Sequence, residues 1–420
     1  MKKYQKVLAA VLALCSLCST AKAGGYQLND YSVTGLGRAY AGAGVVGDDY
    51  SAIAYNPAGM TAVKQSGFQT GLTLVNLRAD VDTLDNSKHK KMDFWTPIPQ
   101  FFGQYNVNER LSVGLGVYAP FGLKTQYDSS WYASDVAILS ELEIIDTNLA
   151  VAYKLNKQWS VGGGVILRYI YGHLTNSLKK YGGGASDFEL DGWTKTGLLG
   201  VMYEPTENTR IGFSWRLRST QQVKGDHTIS DTNGTIIGTA MLGSALPADY
   251  FNQVATGWAS PALPETFTLS AFHRYKNVGF SGTARWTHWS QSFPEFTLRS
   301  DAKLLASAGG QQKFNYNYDN SWTLTAGLDW YYNENWTLRC GTGWDESPAH
   351  KAISRTIRIP DNDRFWLSAG ASYTQENWQF DVGYTHMFAR TSKALNDAQI
   401  QVKYKKMQSY LVGAQVQYKF

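Results

Sequence analysis

Cysteine is almost missing from this chain: there are three in 420 residues, and two of them, Cys15 and Cys18, fall near the start. Beyond residue 23 only Cys340 remains, so no internal disulfide is possible there and no thiolate metal site is suggested. Long apolar runs are also missing; past the start, nothing approaches the roughly 20 apolar residues a spanning helix needs. An excess of one sign of charge is missing too, with 39 basic against 34 acidic residues and no basic tail, which argues against nucleic acid as a partner. The histidines (His89, His173, His227, His273, His288, His350, His386) are scattered, with no metal-ligand spacing. No P-loop, no dinucleotide fingerprint and no set of nucleophile, base and orienter emerges. The sequence therefore predicts no catalytic residue, no metal and no cofactor.

What is present starts with an export signal. Lys2, Lys3 and Lys6 precede an apolar run from Val7 to Leu17, and Ala21-Lys22-Ala23 forms an A-x-A cleavage site. The run is too short to span a membrane, so residues 1–23 read as a secretory signal peptide. Cys15 and Cys18 follow leucines rather than the small residue a lipidated cysteine prefers. Removing this segment leaves a chain with a net charge of about +1.

The chain is rich in tryptophan (14), tyrosine (26) and glycine (40), and past the export signal it alternates. Phe420, Tyr418, Val416, Ala414, Val412 and Tyr410 lie on one face of the last segment, with Lys419, Gln417 and Gln415 on the other. Similar strands run from Trp159, Ile211, Trp336 and Trp378. One wholly apolar face, with aromatics at its ends, is what a strand crossing a bilayer requires. Short polar turns (106–110, 156–158, 204–209, 276–277, 333–335, 375–377) alternate with longer polar links near 80–93, 120–140, 177–187, 229–262, 294–313, 345–363 and 390–403. The expectation is an all-β membrane protein, an antiparallel transmembrane barrel of about fourteen strands over 66–420. Residues 24–65 break the alternation. They are glycine-rich, yet Tyr26, Leu28, Tyr31, Leu36, Tyr40 and Ile53 are apolar anchors that disorder would not need. A hatch folded inside the barrel is the economical reading. Phe420 at the end of the last strand resembles the insertion signal read by barrel-assembly machinery.

At this point a family resemblance appears. Gly35-Leu36-Gly37-Arg38-Ala39-Tyr40-Ala41-Gly42, Asp48-Asp49, Asn56-Pro57-Ala58, the stretch Tyr118 to Tyr127, Asn335-Trp336-Thr337-Leu338-Arg339 and Ile359-Pro360-Asp361 resemble the FadL/TodX transporters of the bacterial outer membrane. The resemblance implies a fourteen-stranded monomer plugged by a hatch, with outer-membrane lipid around it. It implies passive uptake of long-chain fatty acids or similar hydrophobic compounds, by lateral diffusion through an opening in the barrel wall; aromatic hydrocarbons are the alternative. Asn56, Pro57 and Ala58 match hatch residues beside an inward kink of the third strand, and Phe121 and Gly122 match the kink. Gly122 lacks a Cβ and can adopt backbone that interrupts a ladder.

The family's basic contacts to a ligand carboxylate have no matched counterpart. Lys179 and Lys180 are nearest in order, and Arg168 and Arg216 are candidates if they face the lumen. The plainer role for lumen arginines (Arg168, Arg216, Arg218, Arg285, Arg339, Arg364) is pairing with inward acids such as Asp381, because buried charge must find a partner. A general diffusion porin or a structural surface barrel are the rival classes, and the plug-like segment argues against both.

Overall fold

The computed structural model describes residues 25–179, 183–231, 250–307, 309–396 and 400–420. Residues 1–23, the expected signal peptide, and Lys180 lie outside the described residues.

Fourteen antiparallel strands close into a barrel. They are β1 (Gly67–Thr83), β2 (His89–Asn106), β3 (Leu111–Gln126), β4 (Leu139–Lys154), β5 (Trp159–Ser177), β6 (Ala185–Thr206) and β7 (Thr209–Arg216). Then follow β8 (Thr266–Tyr275), β9 (Val278–Thr287), β10 (Ser321–Tyr331), β11 (Trp336–Asp345), β12 (Arg364–Gln375), β13 (Trp378–Ala389) and β14 (Val402–Lys419). Each pairs with its chain neighbours, and β14 returns to β1 from Gly67↔Lys419 upward. Closure leaves no sheet edge in lipid, which a spanning sheet must avoid because hydrocarbon offers its backbone no partner. The strand count matches the sequence expectation.

Alternation sorts the side chains as the sequence suggests. Val165 is 67% exposed, Val382 58% and Val412 47%, whereas their inward neighbours Ile166, Asp381 and Leu411 are buried. Two aromatic girdles bound the apolar band. At the end carrying the short turns, Trp378 meets Tyr418, Trp336 meets Tyr373 and Trp159 meets Tyr203. At the other end, His386 stacks on Tyr410 and Phe267 lies between Trp215 and Trp286. Amphipathic rings favour the two membrane–water interfaces.

One connection departs from expectation. The polar stretch 80–93 is a hairpin that prolongs β1 and β2, not a long loop: Asp80 faces Lys91 and Asp82 faces His89 in register. Its charges lie beyond the upper girdle, where a strand continues in water and needs no apolar face.

Residues 25–65 fill the lumen. Two single-turn helices, α1 (Val33–Leu36) and α2 (Ala52–Tyr55), and a tight turn at Pro57–Ala62 are joined by glycine-rich bends. Nearly all of this segment is buried. The wall holds it by polar contacts: Gln415 Oε1 accepts from the Val33 N–H (3.1 Å), and Asn148 Nδ2 donates to the Ile53 carbonyl (2.6 Å).

Candidate functional site

The wall is weakest between β2 and β3. These strands pair only from Asn106↔Ser112 to Phe101↔Val117. Above that seam β2 continues along β1 alone, while β3 continues along β4 with a break in register. The pairing jumps from Tyr118↔Asp146 to Phe121↔Ile144, leaving Ala119 and Pro120 out of the ladder. Proline lacks the N–H a ladder needs, so it accounts for the bend chemically. Gly122 is already back in register opposite Glu143 and is not among the residues with positive φ. The irregularity is therefore carried by Ala119-Pro120 rather than by glycine's special dihedrals.

The N-terminal segment takes the place β2 vacates. Gln27 bridges to Phe121, the Gly122 N–H donates to the Tyr26 carbonyl (2.8 Å), and the Leu28 N–H donates to the Pro120 carbonyl (2.9 Å). Leu28 packs in one cluster with Ile98 of β2 and Ala119 of β3, covering the seam from within. Composition gave no hint of this three-residue pairing, which is too short to show a period.

Asn56-Pro57-Ala58 press on β5, β6 and β7, where Gly162, Gly200 and Gly212 leave room for them. A Cβ at Gly162 would stand 2.5 Å from the Ala58 nitrogen, and one at Gly200 would stand 2.0 Å from Asn56 Oδ1. Asn56 Nδ2 donates to the Val201 carbonyl (3.1 Å), and Asn56 Oδ1 caps its own turn at Ala58 (3.1 Å). Three glycines on β5, β6 and β7 thus seat the triplet, and the turn that Pro57 opens also packs on β3 and β4.

Behind the break lies an apolar cavity of about 90 Å³. Ile170 and Leu174 of β5, Phe188 and Leu190 of β6, and Phe293, Phe314 and Tyr316 from external segments line it, with Tyr26 as the hatch's contribution. Drug-sized ligand pockets span roughly 300 to 1,000 Å³, so a long ligand needs the surrounding rings to move. Arg358 stands at the rim, its guanidinium donating to the Leu139 carbonyl (3.1 Å) and to Ser140 Oγ (2.9 Å). Sequence reasoning missed Arg358 because it arrives on the loop between β11 and β12, where no alternation marks an inward residue. A separate polar chamber of about 490 Å³, lined by Lys64, Glu207, Arg210, Arg274 and Lys419, opens beneath the hatch.

The other basic candidates do not line the cavity. Lys179 is exposed and donates to the Ser129 carbonyl (2.6 Å). Arg168 and Arg216 are buried and share the carboxylate of Asp146, at 2.6 and 2.9 Å. Arg216 also reaches the hatch, donating to the Ala54 carbonyl (2.8 Å). Arg168 lies 5.6 Å from the Phe121 ring centre. Asp381, expected to partner an arginine, instead accepts from Ser372, Gln379, Gln415 and Gln417. Arg218 is exposed, so it is not part of the lumen set.

A second charge cluster ties hatch to wall. Arg38 donates to both oxygens of Asp48 (2.5 and 2.8 Å) and lies 3.2 Å from Asp329 on β10. Arg339 on β11 meets the same two acids, at 3.2 and 2.9 Å. Burial works against ionisation of Asp48, yet Arg38 and Arg339 hold its carboxyl below the usual range. Burial pushes the Asp30 carboxyl up to about 6, against its hydrogen bond from Tyr40. Asp49 is raised by burial and by the Asp48 charge, although Ser32 and Ser51 donate to it.

Phe420 ends the last strand at the lower girdle, 61% exposed, its N–H donating to the Ser66 carbonyl (2.8 Å). Among the described residues, no group of histidine, cysteine or acid could hold a metal ion.

A closed barrel, stopped by its own N-terminal segment and carrying an apolar cavity beside a thin seam, defines a plugged transport barrel of the outer membrane. The chain belongs to the outer membrane transport protein family OMPP1/FadL/TodX, whose model matches residues 14–420. It is 27% identical to the long-chain fatty acid transport protein of Escherichia coli K12, over 99% of this chain and 98% of that one. It is likewise 27% identical to outer membrane protein P1 of Haemophilus influenzae, over 92% and 90%. Among solved structures, a FadL homologue of Pseudomonas aeruginosa superposes with a TM-score of 0.83 at 23% identity, covering 94% of this chain and 100% of that one. The toluene transporter TodX of Pseudomonas putida gives 0.67 at 16%, covering 88% and 94%.

Proposed function

We propose that the protein carries long-chain fatty acids, or hydrophobic compounds of similar shape, passively inward, and that ligand leaves sideways between β2 and β3 rather than through the hatch. The observation that carries this reading is the substitution of Tyr26–Leu28 for β2 along the free edge of β3. A short peptide held by two backbone hydrogen bonds is far easier to withdraw than a strand paired along its length.

The energetics favour a sideways route. Each buried CH₂ is worth roughly 0.8 kcal/mol, so eight methylenes in the cavity gain about 6 kcal/mol, and a watery pore would forfeit that. Downward passage would also require the hatch to give up its charge cluster with β10 and β11. Arg358 is the cavity's rim cation and suits a carboxylate head. The relatives named as fatty acid transporters support this choice, whereas the toluene transporter supports an uncharged aromatic ligand as the alternative. The proposed activity is transport alone, with no catalysis.

Uptake of radiolabelled oleate and toluene by cells lacking other such transporters, with and without this protein, tests the reading. Protein-dependent oleate uptake with scarcely any ion conductance in a planar bilayer is expected. Porin-like conductance without selective uptake would refute it.

A further inference from the structure

Between the cavity and the break in β3 stands a knot of aromatic rings. Tyr26, Phe293 and Tyr316 line the cavity, and behind them lie Trp289 and Tyr318, which do not. Trp289 is 4.9 Å from Tyr26 and 6.3 Å from Phe121, between ring centres. Tyr318 is 5.2 Å from Phe293 and 5.9 Å from Trp289. The two rings stand at opposite ends of the single connection between β9 and β10, Trp289 just after β9 and Tyr318 just before β10, and the pairing of those strands at Thr287↔Ser321 brings the ends together.

Both side chains are fully buried, and both carry a polar atom with no partner among the described residues: the indole Nε1 and the Tyr318 hydroxyl. A buried donor left unmade costs roughly 1–3 kcal/mol, and phenylalanine would fill much of either space at no such cost. An indole N–H can only donate and a phenol O–H donates readily, so the pair presents two donors and asks for an acceptor. They do not satisfy one another. The nearby arginines differ here, since Arg168 and Arg216 spend their donors on Asp146, Ser219, Tyr118 and Ala54.

We propose that Trp289 and Tyr318 form an uncharged hydrogen-bonding station for the oxygen-bearing head of an amphiphilic ligand as it passes from the cavity to the seam. The station rests on the sideways route proposed above and narrows its substrate class. A carboxyl or hydroxyl oxygen satisfies both donors, whereas a hydrocarbon gains nothing from them. The ring knot thereby favours head-bearing chains over bare hydrocarbons without a second buried cation.

The test uses the full-length protein in proteoliposomes, as wild type, Trp289→Phe, Tyr318→Phe and the double variant. Entry of decanoate, 1-decanol and butylbenzene is compared, and heat-modifiable mobility confirms barrel folding. Each substitution is expected to slow decanoate and decanol by about tenfold, as one lost hydrogen bond implies, and to leave butylbenzene within about twofold. An unchanged ratio of decanoate to butylbenzene overturns the station, whether all three rates fall together or none moves. Wild-type protein that admits none of the three would instead overturn the transport reading, so the two failures are distinct.

Discussion

Replacing Arg38 by methionine removes one cation from a buried cluster of two arginines and two aspartates, in which Arg38 is only 4% exposed. Asp48 and Asp329 then share Arg339 alone, leaving one buried negative charge without a partner. Breaking a buried pair in this way costs roughly 3–5 kcal/mol. The cost falls on the docked hatch, because an undocked hatch would expose Asp48 to water. At about 1.4 kcal/mol per tenfold, the undocking equilibrium rises by roughly two to three and a half orders of magnitude. Hydrogen exchange followed by mass spectrometry reads this directly in peptides covering residues 33–55, whose slowest amides should exchange at least about a hundredfold faster. The double change Arg38→Met with Asp48→Asn leaves Arg339 and Asp329 as a neutral pair and should recover part of the loss. Hatch exchange within threefold of wild type (about 0.6 kcal/mol) in the single variant would refute the reasoning and make the cluster an ornament of the fold.

Three further outcomes follow from the same geometry. Pro120→Val supplies the N–H that the upper part of β3 withholds from β2, so fatty acid uptake should fall several-fold while barrel folding persists; undiminished uptake would show that the seam plays no part. Gly200→Ala puts a methyl where Asn56 Oδ1 lies, so the hatch should lose about 1–3 kcal/mol of docking and the barrel should conduct ions in bursts; a silent bilayer trace would contradict it. Deleting Phe420 should lower the level of heat-modifiable barrel in the outer membrane, as expected if the terminal aromatic is an insertion signal, and normal levels would count against that role.

The barrel was legible because its physics is periodic. Val412 and Leu411 sit next to each other in sequence and on opposite sides of the wall, and alternation alone assigns them correctly. The same logic found Arg339 and Arg364 in the lumen. It failed wherever a residue is positioned by a close approach or a loop rather than by a strand. Asn56-Pro57-Ala58 owe their place to Gly162, Gly200 and Gly212, three glycines on three strands whose shared role appears only when the strands are side by side. Arg358 comes in on a loop, and Tyr26–Leu28 pair over too few residues to leave a pattern. The break in β3 was legible to within two residues, but its cause was assigned to Gly122 when Pro120 is the residue that cannot donate. Asp381 shows the limit for partners: its inward direction could be read, whereas its preference for Gln415 and Gln417 over an arginine depends on register across three strands.

The central claim is that ligand leaves sideways once Tyr26–Leu28 releases the edge of β3. Cysteines at positions 27 and 121, in a Cys340→Ala background, replace the two residues of the bridge, where directly opposed Cα atoms lie within reach of a disulfide. Uptake of labelled oleate by the oxidised protein is then compared with uptake by the same protein after reduction. The account predicts that the disulfide abolishes most uptake and that reduction restores it; oleate entering as fast through the oxidised protein as through the reduced one would contradict it.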